Sequence, residues 1–281
     1  MTEPAAMAMG AEWVTIGPAP AGVWDGSSGQ AAGPAVPLRC WWARPLGQAP
    51  RAAVIVLPEV FGVNDWVRSV ADRLAAAGYA ALALNTMART APDLELRYDA
   101  AGLELGRQHR DAVTAAGFLD DLAASVAWIR DQPDLAGLPI GCVGFCFGGH
   151  LALLAATLPA IGATCAFYGA RVSSFRPGGG PPSLQLVPQI PGRLWCFCGD
   201  QDPLIPPEEI TAVAAALTAA NGGVPAESEA ARHRLLVAPG AGHGYMCEAR
   251  ADFSPEAARS GWSAMLGLFA SISDELPPHL E

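Results

Sequence analysis

The sequence predicts an α/β fold in which a mostly parallel sheet is covered by helices on both faces. Short apolar segments alternate with longer helical segments from residue 38 onward, which is typical of strands joined by crossover helices. The 281 residues, of which 51% are hydrophobic and 16% charged, suit one large domain with a substantial core. In such a sheet, ligands and catalytic groups gather at the carboxyl ends of the strands.

The elements follow one another in a regular order. Strands are predicted at 38–43, 53–57, 80–84, 140–143, 163–168, 194–198 and 234–237. Helices are predicted at about 65–77, 112–130, 150–157, 207–220 and 255–272, and loops at 85–97 and 173–191. Residues 1–35, rich in Ala, Gly and Pro, are expected to form a loosely structured arm with one edge strand near 13–16. Residues 36–281 are expected to form the single domain.

Composition excludes several classes of protein. A net charge of -10 leaves no basic surface for nucleic acid, and no uncharged apolar run is long enough to cross a bilayer. The N-terminus lacks the basic start and apolar centre of a secretory signal, and the seven cysteines suit a reducing compartment, so we expect a cytoplasmic protein. We expect no metal site, because Cys196 and Cys198 point to opposite faces of a strand.

One cysteine lies in a pattern that indicates catalysis. Residues 144–149 read GFCFGG, which places Cys146 on a glycine-flanked turn between a strand and a helix. This strand-turn-helix is the nucleophile elbow, with cysteine where serine is usual. Free cysteines are often only small buried hydrophobic residues. We interpret four others as core residues because they lie in apolar strand-like segments: Cys142, Cys165, Cys196 and Cys198.

A nucleophile on this turn needs a histidine base and an orienting acid, which follow it in the chain in the order acid, histidine. His243 lies in a glycine-rich loop directly after the strand at 234–237. Asp200 and Asp202 both follow the strand at 194–198. Asp200 is in the tight turn, where aspartate often makes local hydrogen bonds, so Asp202 is the predicted acid.

These residues resemble the dienelactone hydrolase family of α/β-hydrolases over about residues 53–269. The resemblance depends on GFCFGG at 144–149, GDQD at 199–202, AGH at 241–243 and LPEVFGVN at 57–64. It implies an α/β-hydrolase fold with a Cys146, Asp202 and His243 triad. It also implies that Glu59 contacts the resting thiol and accepts its proton or swings away when substrate binds.

The resemblance further implies the chemistry. The enzyme is expected to be a carboxylic ester hydrolase without metal or cofactor, which cleaves a small lactone or ester through an acyl-enzyme on cysteine. The backbone N–H groups of Phe147 and Val60 are the expected oxyanion hole. Two alternatives remain open, a thioesterase or acyl transferase with the same triad, and a catalytically silent protein that binds a small ligand. A monomer or small homo-oligomer is expected.

The substrate site departs from the family pattern. Dienelactone-cleaving members carry a serine after the catalytic histidine and an arginine a few residues later, whereas residues 244–247 here read GYMC, so this anion-binding group is expected to be absent. Arg89 matches another family arginine, and we predict that it binds substrate. Further arginines that could enter the cleft are Arg97, Arg107 and Arg110. The predicted apolar contacts to substrate are Phe61, Tyr168 and Tyr245.

Overall fold

A computed structural model of the protein describes residues 8–18 and 34–273. Eight strands of this part of the chain form one sheet in the order β1-β2-β4-β3-β5-β6-β7-β8. The strands are β1 (Met9–Ile16), β2 (Leu38–Pro45), β3 (Ala53–Leu57), β4 (Ala80–Leu84), β5 (Ile140–Phe145), β6 (Ile161–Phe167), β7 (Arg193–Gly199) and β8 (Arg234–Ala238).

The sheet is mostly parallel, as predicted. Pairs from β4 through β3, β5, β6 and β7 to β8 are parallel, whereas β1 and β2 are added antiparallel at one edge. Every residue of the central strands β3, β4 and β5 is buried, which explains their continuous apolar sequences. The predicted α/β-hydrolase fold class is confirmed.

Helices pack around this sheet. They are α1 (Asp65–Ala76), α2 (Ala100–Asp111), α3 (Ala115–Arg130), α4 (Phe147–Ala155), α5 (Pro207–Ala220) and α6 (Pro255–Ser273), with a short 3₁₀ helix at Ser183–Gln189. The 3₁₀ helix lies in the segment predicted as loop, where Pro188 and the surrounding prolines hid its short pattern.

The helix predicted at 112–130 differs from the structure. It begins only at Ala115, because the Thr114 hydroxyl accepts a hydrogen bond from the Gly117 N–H at 3.0 Å and caps a new helix. The residues before it form the separate helix α2, which the sequence analysis missed. Among the described residues, no single helix is long and apolar enough to cross a membrane, and α2 and α3 meet that test only when taken together, across a bend of 94°.

The N-terminal segment contributes an edge strand that is longer than the predicted run at 13–16. β1 pairs with β2 along its whole length, and Trp13 packs edge-on against Trp41 with ring centroids 5.4 Å apart. Arg39 lies over the Trp13 ring at 3.5 Å. Residues 1–7 and 19–33 of the predicted arm lie outside the described residues, as does 274–281.

Candidate active site

The turn between β5 and α4 exposes one thiol. Cys146 has φ 54° and ψ -115°, a left-handed conformation that costs energy for a side chain other than glycine. Its N–H donates to the Phe167 carbonyl at 3.0 Å, which ties the turn to β6. A Cβ atom on Gly148 would lie 2.3 Å from the Leu57 carbonyl oxygen, so the turn packs against β3 only without a side chain there. The elbow inferred from sequence is therefore present.

The predicted acid and base are joined. His243 Nδ1 lies 2.7 Å from Asp202 Oδ2, and both side chains are almost completely buried. The other oxygen of Asp202 accepts a hydrogen bond from the Leu204 N–H at 2.8 Å. Asp200 instead accepts from the Gly240 N–H at 2.7 Å and braces the turn between two loops. Of the two aspartates, Asp202 is the one that contacts the histidine.

The charge of His243 is set by its neighbours. Burial alone would lower the pKa of His243, but the Cys146 sulfur and the Asp202 carboxylate outweigh this effect and raise the pKa to about 10. His243 Nε2 is buried and forms no hydrogen bond of normal geometry with any described residue. The Cys146 sulfur and the Asp202 carboxylate thus favour the protonated imidazole, and an imidazolium at neutral pH in turn stabilises a thiolate.

Cys146 and His243 open into the same cavity, whose volume is about 480 Å³. This is a normal size for a small-molecule site. Its other lining residues come from the loop after β3, from α2 and from the segments after β5, β6 and β7: Val60, Arg107, Arg110, Asp111, Phe147, His150, Ala170, Arg171, Phe175 and Leu204. The carboxyl ends of the strands therefore form the site, as expected for a parallel sheet.

Two residues that line this cavity have backbone N–H groups without a hydrogen-bond partner among the described residues. Val60 and Phe147 both line it, and within residues 8–18 and 34–273 neither N–H donates a hydrogen bond. Phe147 is the first residue of α4, where helical N–H groups have no partner inside the helix. These are the amides that the sequence analysis assigned to the oxyanion hole.

Glu59 is completely buried beside an arginine. Its Oε1 accepts a hydrogen bond from Arg250 Nη1 at 2.8 Å, whereas Oε2 is buried without a hydrogen-bond partner among the described residues. Burial would lower the pKa of Arg250, but Glu59 and Cys146 outweigh this and raise it. The guanidinium therefore stays charged and is close enough to Glu59 and Cys146 to interact with both.

Arg250 lies seven positions after His243, is paired with Glu59 and is not among the residues that line the cavity, so the absence of the family's anion-binding group stays a prediction. Arg250 lies further along the chain than the family position, and the intervening loop folds back to bring it to Glu59. Gly244 makes room for it, because a Cβ atom there would lie 2.6 Å from Arg250 Nε. The sequence alone did not indicate Arg250, because its contact with Glu59 depends on how the loop after His243 folds.

Two of the arginines predicted to bind or approach substrate lie outside the cavity that contains Cys146. Arg89 does not line the cavity, since its guanidinium is bound by both oxygens of Asp121 at 2.7 and 3.2 Å and by the Gly117 carbonyl at 3.2 Å. Arg97 also lies outside the lining, whereas Arg107 and Arg110 on α2 are part of it.

The aromatic residues predicted to contact substrate are buried behind the cavity surface. Phe61 packs on Tyr98 with centroids 4.5 Å apart. Tyr168 lies edge-on to His243 at 5.2 Å and supports the imidazole. Tyr245 packs on Tyr168 and lines a different cavity near β8. None of the three lines the cavity that contains Cys146.

Burial keeps the thiols of the other six cysteines protonated at neutral pH. Burial raises the pKa of Cys40, Cys196, Cys198 and Cys247 to about 12 and raises those of Cys142 and Cys165 further. All seven cysteines are free. Within the described chain, no group of three or more His, Cys, Asp or Glu side chains could hold a metal ion.

Comparison with known proteins places this geometry in a family. The model of the dienelactone hydrolase family matches residues 38–273. A Synechocystis protein named "Putative carboxymethylenebutenolidase" is 36% identical over 227 residues, which cover 81% of this chain and 89% of that protein. The carboxymethylenebutenolidase of Pseudomonas putida is 30% identical over 160 residues, covering 57% of this chain and 64% of that one.

A solved structure agrees with these relatives. The crystal structure titled "Putative Dienelactone Hydrolase" from Klebsiella pneumoniae superimposes with a TM-score of 0.76 and 26% identity, over 94% of this chain and 99% of that one. Sequence, fold and the order of the site residues along the chain lead to one conclusion: the protein belongs to the dienelactone hydrolase family and is a carboxylic ester hydrolase.

Proposed function

We propose that the protein hydrolyses a small ester or lactone through an acyl-enzyme on Cys146. One observation carries the proposal, the buried 2.7 Å contact between His243 and Asp202 in the cavity that also contains the Cys146 thiol. The names of the Synechocystis and Pseudomonas putida relatives support a lactone as the preferred ester. The free state of all seven cysteines supports a reducing, cytoplasmic location.

The first half of the reaction forms the acyl-enzyme. His243 holds the proton of the Cys146 thiol, and Asp202 accepts the Nδ1–H hydrogen bond that orients the imidazolium. The thiolate attacks the substrate carbonyl carbon, and the N–H groups of Val60 and Phe147 stabilise the oxygen that becomes negative. The carbon–oxygen bond of the ester then breaks, and His243 gives its proton to the leaving oxygen.

The second half releases the acid. Neutral His243 takes a proton from water, whose oxygen attacks the thioester carbonyl. The carbon–sulfur bond breaks, the carboxylic acid leaves, and the thiolate and imidazolium are restored. In a lactone the leaving oxygen stays attached to the acyl group, so a single hydroxy acid is the product.

Glu59 and Arg250 set the charge around this thiolate. A lone buried carboxylate near the sulfur would oppose its ionisation, but Arg250 neutralises Glu59 at 2.8 Å. We propose that Glu59 modulates the thiol through this pair: when Arg250 is held, the thiolate is favoured, and when Arg250 is drawn away, the uncompensated Glu59 carboxylate opposes the thiolate and favours return of the proton to the sulfur.

The experiment that tests the function compares wild type with Cys146→Ala on a panel of p-nitrophenyl esters, simple lactones and acyl thioesters. Wild type should hydrolyse at least one oxygen ester, and Cys146→Ala should lose about 1,000-fold or more in kcat. Iodoacetamide at neutral pH should label Cys146 before the other thiols, because burial keeps those protonated. Turnover of thioesters alone would favour the thioesterase alternative. Absence of turnover together with unselective labelling would contradict the hydrolase.

A further inference from the structure

Glu248 attaches the loop after His243 to helix α1. Its Oε2 accepts a hydrogen bond from Trp66 Nε1 at 2.6 Å, and its Oε1 accepts one from Arg73 Nη1 at 2.8 Å. Burial would raise the pKa of Glu248, but its own backbone N–H, Trp66 and Arg73 outweigh this effect and lower it. The carboxylate is therefore charged at neutral pH, and the reaction described above gives it no role.

Trp66 forms the buried half of this attachment. Its side chain is only 6% exposed, and its ring packs edge-on against Phe145, the residue before Cys146, with centroids 4.9 Å apart. The side chains of Arg73 and Glu248 are 41% and 45% exposed. An ion pair at this exposure contributes little, because water competes for both partners. The contact with Trp66 is therefore the one that can hold the loop in place.

The loop that carries Glu59 is fixed by contacts on its other side. The Phe61 carbonyl accepts a hydrogen bond from the Leu96 N–H at 2.9 Å. Gly106 of α2 packs so closely that a Cβ atom there would come within 2.2 Å of the Val60 carbonyl oxygen. Helix α1 begins at the end of the same loop, so Glu59 and the start of α1 belong to one tightly packed part.

Arg250 reaches Glu59 from a loop made of successive turns. The Cys247 N–H donates to the Gly244 carbonyl at 2.9 Å, and the Arg250 N–H donates to the Cys247 carbonyl at 3.1 Å. Glu248 is the second residue of the latter turn, so a side chain held at α1 fixes the backbone that carries Arg250. The guanidinium keeps its 2.8 Å hydrogen bond to Glu59 when this backbone stays in place.

We propose that Glu248 is a positioning residue for the thiol chemistry. By binding Trp66, it holds Arg250 in place. Arg250 then neutralises Glu59, so that Glu59 no longer opposes ionisation of the Cys146 thiol. This role depends on the modulation of the thiol that is proposed above for the Glu59–Arg250 pair, but not on turnover of any ester.

The pH dependence of Cys146 alkylation by iodoacetamide tests this role. Arg250→Gln should move the midpoint of the alkylation rate to higher pH by about 1 pH unit, and Glu248→Ala should move it in the same direction by about 0.5 pH unit. Loss of the negative charge of Glu248 by itself would favour the thiolate and move the midpoint to lower pH. A shift to lower pH in Glu248→Ala therefore overturns the positioning role, as does an unmoved midpoint where Arg250→Gln moves it.

Three further variants separate the hydrogen bond from the charge. Glu248→Gln keeps an oxygen that can accept from Trp66, so its midpoint should stay close to that of wild type. Trp66→Phe keeps a ring against Phe145 but removes the N–H donor, and it should act like Glu248→Ala. Glu256→Ala removes another exposed carboxylate, on α6, and should leave the midpoint unchanged. If Glu248→Gln moves the midpoint as far as Glu248→Ala does, the hydrogen bond to Trp66 is not what positions Arg250.

Combined variants test whether Glu248 acts through Arg250. Glu248→Ala added to Arg250→Gln should cause no further shift, because no guanidinium is left to position. The coupling of Glu59 to Arg250, measured by a double-mutant cycle in urea, should be weaker in the Glu248→Ala background than in wild type. A further shift or an unchanged coupling overturns the role. If Arg250→Gln itself does not move the midpoint, the proposed effect of the pair on the thiol fails, and the coupling alone decides whether Glu248 positions Arg250.

Discussion

Arg250 donates a 2.8 Å hydrogen bond to Glu59, a completely buried carboxylate one residue before Val60, which lines the catalytic cavity. The two residues come from opposite ends of the chain, and their charges cancel in a region where a single charge would be costly. The pair therefore serves both stability and the electrostatics of the thiol.

Removing one partner of this pair should destabilise the fold. Glu59→Gln leaves the partly buried Arg250 charged without its counterion, so we expect a loss of about 2–4 kcal/mol in the free energy of unfolding, measured in urea. Arg250→Gln should cost a similar amount. The double variant should lose less than the sum of the two single losses. Additive losses would show that the pair is not coupled in the folded protein.

Gly244→Ala should act through Arg250. The new Cβ would lie 2.6 Å from Arg250 Nε, and Gly244 has φ 87°, so both strain and displacement of the guanidinium are expected. The matched control is Gly240→Ala, since Gly240 has φ 71° but open space around it. The control isolates the conformational cost of about 1 kcal/mol. Gly244→Ala should lower the free energy of unfolding by more than Gly240→Ala does, and it should change activity in the same direction as Arg250→Gln. Equal losses of stability in the two glycine variants would contradict the inference that Gly244 makes room for Arg250.

Asp202→Asn should test the negative charge that Asp202 provides beside the His243 imidazole, because the size of the side chain is kept. Asparagine keeps the size of the side chain but provides less stabilisation of the imidazolium, so kcat should fall about 100-fold. The pKa of His243 should also decrease, which moves the alkaline limb of the kcat pH profile to lower pH. If the alkaline limb of the kcat pH profile does not move, a group other than His243 is responsible for that limb. Asp200→Asn is the control and should leave this limb in place.

Stability should depend on the charge of His243. Its pKa of about 10 in the folded protein exceeds the ordinary value of 6.5, so the stabilisation is fully present below pH 6.5 and is lost as pH rises toward about 10. The buried thiols also lower the stability of the fold as pH rises, because they ionise more readily in the unfolded protein than in the folded one. The comparison of wild type with His243→Gln by urea denaturation isolates the histidine. We expect the difference between them to shrink by at least about 1–3 kcal/mol across this pH range.

The sequence predicted the parts of the site that depend on local pattern. The elbow around Cys146 and the loops of Asp202 and His243 follow from glycine spacing and chain order, and the central strands follow from continuous apolar runs. Arg250 was missed because its position depends on how a loop folds back over Gly244. Arg89 was assigned to substrate by position in the chain, yet the tertiary fold pairs it with Asp121 at 2.7 Å. The break between α2 and α3 was missed because one threonine cap decides it.

The contact between Gly106 and the Val60 carbonyl has a mechanical consequence. Since no side chain separates the two backbones, α2 and the loop after β3 move as one rigid part. That part carries the backbone of Val60, whose N–H belongs to the proposed oxyanion hole. Any shift of α2 therefore displaces the loop that carries Val60, so the packing of this helix sets the alignment of the amide that the proposed reaction uses.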